Sequence, residues 1–385
     1  MYKIAIALVI AIIFSLPFVD FNSYYDEKEI RLGMSGPFSG SLHTLGSELM
    51  LGVDAYFKHI NETGGVHGRV FRVITKDDRY EPKITKDNAE ELIKKDRVFA
   101  FLGFIGTPTS HIALPIAQEN NIPFIGAFSG ADFLRTSPRN PLVLNGRTSY
   151  TKEIEKLIQY FVDEEKYKKI AVFYQNDSYG RSGLKAVKTS LKKRNMKIVV
   201  EGSYKRNTLS VGHALYEIAQ YKPQVVIMIG ATKPAAEFIR RARNDNRLKH
   251  MKYGTISFVG SSMLLKELNS EVQNIIFSQV VPSPWGTLSS EVGLYRHLMS
   301  KYNPGIEYSY ISLEGYFIAK LTAELFKRVG KDFTKEDFID QMKYLYEEIE
   351  KNPDEKESQR VCKCLNNVYL TKYSDGIFWD IYEED

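Results

Sequence analysis

Two short loops in this chain carry the residues best suited to hold a polar ligand. One contains Gly106, Thr107 and Thr109, with Pro108 between the threonines; the other contains Phe128, Ser129 and Gly130. Hydroxyls donate or accept, and glycine leaves backbone N–H groups open, so such loops can cradle an anion or a carboxylate without a charged side chain. Each follows a short apolar run, residues 99–102 and 122–125, that reads as a buried strand. Between them lies a helix that Thr109 can cap and Asn121 closes, with Ile112, Ala113 and Ile116 on one face. If the two strands are parallel neighbours, both loops stand at carboxyl ends, where open α/β sheets bind ligands. The loop Ser35-Gly36-Pro37-Phe38-Ser39-Gly40 repeats this small-and-hydroxyl chemistry. Plainer roles stand beside these: Thr107 or Thr109 as helix cap, Ser129 as turn former, Phe38 and Phe128 as packing.

Other chemistries lack their residues. Gly33 to Gly40 has the wrong spacing for a G-x-G-x-x-G dinucleotide loop, and Pro37 removes an N–H from it. No G-x-S-x-G elbow falls at a strand–helix junction. Asp77-Asp78 resembles half a metal site, without a further ligand placed to help. Cys362 and Cys364, one residue apart, give a strained bridge at best and have no His or Cys cluster nearby; they read as two thiols on one strand face. With 52 Lys+Arg against 47 Asp+Glu, the net charge of +5 is modest, and no dense basic block interleaves with aromatics, which argues against nucleic acid as a partner. Arg240, Arg241 and Arg243 read as a solvated helix face.

The elements that would position the loops alternate. At 385 residues and 43% apolar, the chain suits two domains with proper cores. Strands are expected at 29–34 and 70–76, and helices at 46–61 and 82–95, so the first 125 residues describe a parallel sheet. Residues 138–150 look like a crossing segment. A second alternating unit follows: helix 150–165, strand 169–174, helix 181–194, strand 197–203, helix 210–221, strand 224–229, helix 234–245, strand 253–258, helix 262–268 and strand 275–280. Pro282 and Pro284 mark another crossing. Helices at 291–302, 311–329 and 335–349, a polar stretch at 352–358, and a terminal hairpin over 360–371 and 376–382 complete the chain. At the start, Lys3 precedes an apolar run over 4–16 that is short for a membrane span and suits an export signal. Poor cleavage patterns around residues 15–21 leave an uncleaved anchor within 1–19 open, and the lack of an early Cys excludes a lipoprotein signal.

A set of motifs then resembles one family. Gly36-Pro37-Phe38-Ser39-Gly40, Ile60-Asn61 with Gly64-Gly65-Val66-His67-Gly68-Arg69, Gly106-Thr107-Pro108-Thr109, Gly130-Ala131-Asp132-Phe133, Asp177-Ser178-Tyr179-Gly180, Ser257-Phe258-Val259-Gly260-Ser261 and Ser312-Leu313-Glu314-Gly315-Tyr316 occur in this order. Each is weak alone; together they resemble type I periplasmic solute-binding proteins of ABC transporters, the branched-chain amino-acid (Leu/Ile/Val) binding family. The resemblance implies an α/β fold of two Rossmann-like lobes with parallel central sheets joined by a three-segment hinge. It places lobe 1 at 29–146 and 283–352, and lobe 2 at 147–282 and 353–385. It implies an exported, monomeric, non-enzymatic receptor without cofactor or metal. Such a receptor would bind an amino acid, amide or carboxylate between the lobes and deliver it to a permease and ATPase. A sensor subunit of a signalling system would use the same fold.

By match, Gly106, Thr107, Thr109, Phe128, Ser129 and Gly130 face the ligand from lobe 1. Tyr179, Thr232 and Ser262 face it from lobe 2; Tyr150, with Arg147 in the first crossing, is a further candidate, and Arg147 could instead form a hinge salt bridge. Two positions depart from the amino-acid binders. Ser262 stands where an acid often pairs with the ligand ammonium, and Gly130 stands where a hydroxyl is usual.

Overall fold

The computed structural model describes residues 28–287, 289–351 and 367–382. The expected signal segment, the polar stretch 352–358, Cys362, Cys364 and the first part of the terminal hairpin lie outside the described residues.

Two sheets organise the chain. The first runs β2-β1-β3-β4-β5, all parallel, from β1 (Glu29–Gly36), β2 (Val70–Asp77), β3 (Ala100–Leu102), β4 (Phe124–Ile125) and β5 (Val143–Leu144). Its helices are α1 (His43–Glu62), α2 (Pro82–Lys94) and α3 (Thr107–Glu119). The second runs β12-β11-β10-β9-β8-β6-β7, from β6 (Ile170–Gln175), β7 (Val200–Tyr204), β8 (Val225–Ile229), β9 (Lys252–Thr255) and β10 (Ile275–Gln279), with the antiparallel pair β11 (Tyr369–Ser374) and β12 (Ile377–Asp380) added at one edge. Its helices are α4 (Tyr150–Ile158), α5 (Ser178–Lys193), α6 (Gly212–Tyr221), α7 (Thr232–Arg243) and α8 (Ser261–Glu267). Strand β8, the run Val-Val-Ile-Met-Ile, is buried at every position. An unbroken apolar strand of this kind belongs in a parallel sheet covered on both faces.

After β10 the chain returns to the first sheet. Helix α9 (Ser290–Tyr302) packs on α1, α10 (Tyr310–Val329) lies along α1, and α11 (Lys335–Lys351) packs on α10 and β5. The α1–α10 approach depends on glycine: a Cβ at Gly52 would stand 1.7 Å from Ser312 O, and one at Gly315 2.1 Å from Leu49 O. Ser309 caps α10 with a reciprocal bond to Ser312. This helix also brings Glu314 to the junction between the lobes.

Three local expectations change. The helix expected over 150–165 is α-helical only to Ile158; a wider turn over Gln159–Glu164 then buries Phe161 and Val162. In α3 the buried stripe is Ser110, Ala113, Leu114 and Ala117, while Ile112 points outward at 37% exposure. Strand β9 stops at Thr255, and Ser257–Val259 forms a single tight turn that carries Phe258 off the sheet.

Candidate functional site

The carboxyl ends of both sheets face each other, and side chains of the two lobes are in contact there. From the first lobe, the loop after β3 supplies Thr107 and the loop after β4 supplies Ser129. Their hydroxyls lie 2.8 Å apart, and the Tyr150 hydroxyl, at the start of α4, lies 3.1 Å from Thr107 Oγ1. All three residues are buried. The loop after β4 is fixed from the crossing segment: Asn145 Nδ2 donates to Ser129 O at 3.0 Å, and the Tyr150 N–H donates to Gly130 O at 2.8 Å.

Gly130 explains its own lack of a hydroxyl. A Cβ there would stand 2.6 Å from Tyr150 Cδ1. The glycine makes room for Tyr150, and the phenol takes the third hydroxyl position. Burial pushes the Tyr150 phenol above its ordinary value, only partly offset by the charge of Arg147, so it remains a protonated donor.

Aromatic rings from both lobes close around this group. Phe258 centres them: its ring lies 4.5 Å from Tyr179, 5.7 Å from Phe128 and 5.9 Å from Tyr80 between centroids. Tyr150 and Tyr179 meet edge to face at 5.5 Å. Tyr80 reaches this place through backbone strain. Arg79 and Tyr80 both have positive φ (51° and 61°), and the doublet before them holds the turn: Arg79 N–H donates to Asp77 Oδ1 at 3.1 Å and Tyr80 N–H to Asp78 Oδ1 at 2.8 Å. Gly106 is required by the same ring, since a Cβ there, at φ 105°, would sit 2.2 Å from Tyr80 Cε2. Asp77 also accepts the N–H groups of Phe38 and Ser39, and Asp78 accepts Ser35 and Thr85 hydroxyls. The acidic doublet thus shapes two loops, and no metal-holding cluster of His, Cys, Asp or Glu occurs among the described residues.

The other expected residues separate by what their polar atoms touch. Thr109 turns its hydroxyl onto Ile105 O and Gly106 O at 2.5 and 2.9 Å, which anchors the first turn of α3. Thr232 donates to Val259 O at 2.5 Å and so ties α7 to the Phe258 turn. Tyr179 is fully enclosed, its hydroxyl 3.4 Å from Gly230 O. Ser262 Oγ is enclosed and has no hydrogen-bond partner in its surroundings. Phe128 stacks its other contact against a cation, with Arg147 Cζ 4.1 Å from the ring centre. Arg240 and Arg241 pair with Glu237 at the surface, at 3.0 and 2.7 Å.

Behind the aromatic group sits a buried charge network. Arg147 pairs with Glu314 of α10 and donates to Ser257 Oγ. Glu153 of α4 accepts the Ser257 N–H at 2.7 Å and the Ser278 hydroxyl at 2.5 Å. Burial works against the Arg147 charge, but the carboxylates of Glu314 and Glu153 outweigh it and the guanidinium stays protonated. At the cleft mouth a second set spans the lobes. Arg206, after β7, lies 2.9 Å from Glu81 and 3.2 Å from Asp177, and Asn207 Nδ2 donates to Glu81 at 2.7 Å. Gln175 Nε2 donates to Asp177 at 2.7 Å and lies 3.4 Å from the Tyr80 hydroxyl.

Sequence reasoning passed over Tyr80, Phe258, Gln175 and Arg206 as site residues. Phe258 had a signal, since it stands among small residues in Ser257-Phe258-Val259-Gly260-Ser261, but a strand reading hid it. For Tyr80 the only hint was Asp77-Asp78, whose side chains accept the turn's N–H groups.

The comparisons agree with this architecture. The profile described as periplasmic binding protein matches residues 29–350. Leu/Ile/Val-binding protein homolog 7 of Brucella suis is 25% identical over 221 residues, 56% of this chain and 55% of its own, so the chain spans about half the length of the curated relatives it matches. A crystal structure of a possible leucine/isoleucine/valine-binding protein from Rhodopirellula baltica is 28% identical, covers 92% of this chain and 97% of its own, and superposes with a TM-score of 0.83. A branched-chain amino acid ABC transporter structure from Thermus thermophilus with bound valine shares the fold at 20% identity and TM-score 0.78, covering 93% and 97%. The matched profile spans well over half of the chain, which here folds into two lobes each built on a sheet of parallel strands, and the chain belongs to the periplasmic binding protein family.

Proposed function

We propose that this chain is the extracytoplasmic solute receptor of an ABC importer, binding one small molecule between its lobes and presenting it to a permease and ATPase. The observation that carries the reading is the meeting of Thr107, Ser129 and Tyr150 with aromatic rings from both lobes, fully enclosed at the closed interface. A polar head and an apolar cover are what a small-molecule site needs. In this reading the moving bodies are 29–146 with 283–352 and 147–282 with 353–385, and solute stabilises the closed form because only there do both bodies touch it. Thr107, Ser129 and Tyr150 contact the polar head; Phe128, Tyr179, Tyr80 and Phe258 cover the rest; Gly106 and Gly130 provide clearance, and Thr109 and Thr232 hold the loops. No helix among the described residues is long and apolar enough to cross a membrane. In this reading the solute is held by non-covalent contacts alone, and function is binding and lobe closure.

A thermal-shift screen of amino acids, amides and carboxylates, followed by small-angle scattering of any hit, tests this. The expected result is a raised melting temperature and a smaller radius of gyration for at least one solute. Failure of the whole panel to stabilise the protein counts against the reading.

A further inference from the structure

The amino end of the second sheet, on the side of its lobe away from the cleft, carries a row of lysines. Lys168 and Lys169 stand just before β6, Lys197 just before β7, Lys222 just before β8 and Lys249 just before β9. The register brings these strand starts level: Ala171 pairs with Val200, Ile170 with Val225, and Val225 with Lys252. The four strands are neighbours in the order β9-β8-β6-β7. At strand spacing their ends span about 14 Å of one edge. Lys192, in the last turn of α5, adds a sixth charge at the same end. All six lysines are exposed, and none forms an ion pair with a described residue. Acids at this end are spent elsewhere: Asp163 and Glu155 pair with Arg194 at 2.6 and 2.9 Å, and Asp245 with Arg247 at 2.6 Å.

Helix ends explain only part of this charge. A cation in a last helical turn offsets the carbonyls exposed there, which accounts for Lys192. Lys168, Lys169, Lys197 and Lys249 lie beyond the last turn of any helix, where that effect has faded. Beside the row, Tyr221 closes α6 next to Lys222 and is 53% exposed. A single anionic ligand would need donors that converge, and a nucleic acid strand would need aromatic platforms along a groove. An exposed edge of separated lysines with an amphipathic ring at its margin suits a flat array of negative headgroups.

We propose that the amino edge of the second sheet docks on an anionic phospholipid surface, with the six lysines against the headgroups and Tyr221 at the interface. This edge lies apart from the solute cleft, so its test needs no solute and stands or falls separately from the receptor reading.

The full-length chain is sedimented with vesicles of phosphatidylcholine alone and of phosphatidylcholine with phosphatidylglycerol. Comparing variants in the same chain cancels any pull of the apolar run at 4–16, which all of them share. The parent is expected to bind the anionic vesicles at least about tenfold more tightly than the neutral ones at about 50 mM salt, and to lose that preference at about 0.5 M. Each surface lysine is worth about fivefold. Changing Lys168, Lys169, Lys197 and Lys222 together to Gln is therefore expected to weaken anionic binding at least about thirtyfold with the melting temperature retained. A control removes equal charge from exposed lysines of the first lobe, Lys58, Lys83, Lys94 and Lys95, each to Gln, and is expected to stay within about threefold of the parent. No preference for anionic vesicles, or a preference untouched by salt, overturns the proposal. An equal loss in the control also overturns it, because net charge and not this edge would then be the cause. Retention on heparin without vesicle binding gives the edge to a soluble polyanion and overturns the lipid assignment.

Discussion

Arg206 and Glu81 join the two lobes at the cleft mouth, with Arg206 Nη2 2.9 Å from Glu81 Oε2 while its Nη1 lies 3.2 Å from Asp177 on its own lobe. In the receptor reading proposed above, a pair that bridges the two lobes adds its energy to closure. Glu81 is 41% exposed, so water and salt screen the interaction, and we expect a small effect. Arg206→Ala should weaken solute affinity about two- to fivefold at low salt, and by less at about 0.5 M salt. Calorimetry at the two salt concentrations checks this; an affinity loss that grows with salt would contradict a screened ion pair as its cause.

The Arg147–Glu314 pair is a different case, because both side chains are almost fully enclosed, at 2% and 6% exposure. A buried charge left alone is costly, whereas an apolar replacement of the pair can be neutral. Glu314→Gln or Arg147→Met alone should therefore cost about 3–5 kcal/mol, and Arg147→Met with Glu314→Leu should recover most of it. Urea denaturation of the three variants measures these costs and the recovery. Single variants each within about 1 kcal/mol of the parent would show that the pair does not organise the junction.

How far the sequence could be read depends on what sets each feature. The alternation of short apolar runs with amphipathic segments reports local burial, so the two parallel sheets, including the five buried residues of β8, were legible. Glycine loops at strand ends likewise marked Thr107 and Ser129, which do meet. Tyr80 was not legible, because its place depends on two left-handed residues held by Asp77 and Asp78. Phe258 was misread as strand, since its β-branched surroundings fit a strand until Gly260 forces the tight turn. The hydroxyl missing at Gly130 looked like a loss; only the 2.6 Å approach of a Cβ to Tyr150 reveals that a neighbour replaces it. Local pattern reports elements, while the pairing of distant side chains depends on the packed fold.

Asp78 gives a pH dependence with a definite sign. Burial lifts its carboxyl from 3.8 to about 6, although Tyr80 N–H, Ser35 and Thr85 all donate to it. A raised acid favours the folded state at low pH; that contribution is complete below its unfolded value near 3.8 and is lost as pH rises through about 6. Asp78→Asn keeps the acceptor for Tyr80 and removes the titration. Relative to this variant, the parent should lose about 2–3 kcal/mol of stability between about pH 4 and pH 7. Denaturation midpoints of both proteins across that range measure the difference, and a flat difference would remove Asp78 as a titrating group.

The α1–α10 contact yields a packing prediction. With Ser312 O 1.7 Å from where a Gly52 Cβ would stand, and backbone on both sides, no side-chain rotation relieves a methyl group. Gly52→Ala should therefore force the helices apart and cost at least about 2 kcal/mol despite alanine's better helix propensity. A control with open space around it, Gly293→Ala in α9, has nothing within 4 Å of its Cβ and should be neutral or stabilising by about 0.5–1 kcal/mol. Equal melting temperatures for the two variants would mean that α1 and α10 do not approach this closely.

Thr107 and Thr109 are two residues apart and chemically identical, yet their hydroxyls point to different tasks. Thr109 Oγ1 is spent on Ile105 O and Gly106 O, so Thr109→Val should lower stability by about 1 kcal/mol and leave solute affinity nearly unchanged. Thr107 Oγ1 bonds only to Ser129 and Tyr150, two groups that can turn to a ligand instead. Thr107→Val should therefore keep the melting temperature within a few degrees and lower solute affinity about tenfold or more, since a buried polar head would lose one of its donors. Measuring Tm and Kd on both variants gives a crossed pattern if the assignment holds. The reverse pattern, affinity lost at Thr109 and stability at Thr107, would move the ligand's polar head off the Thr107–Ser129–Tyr150 group altogether.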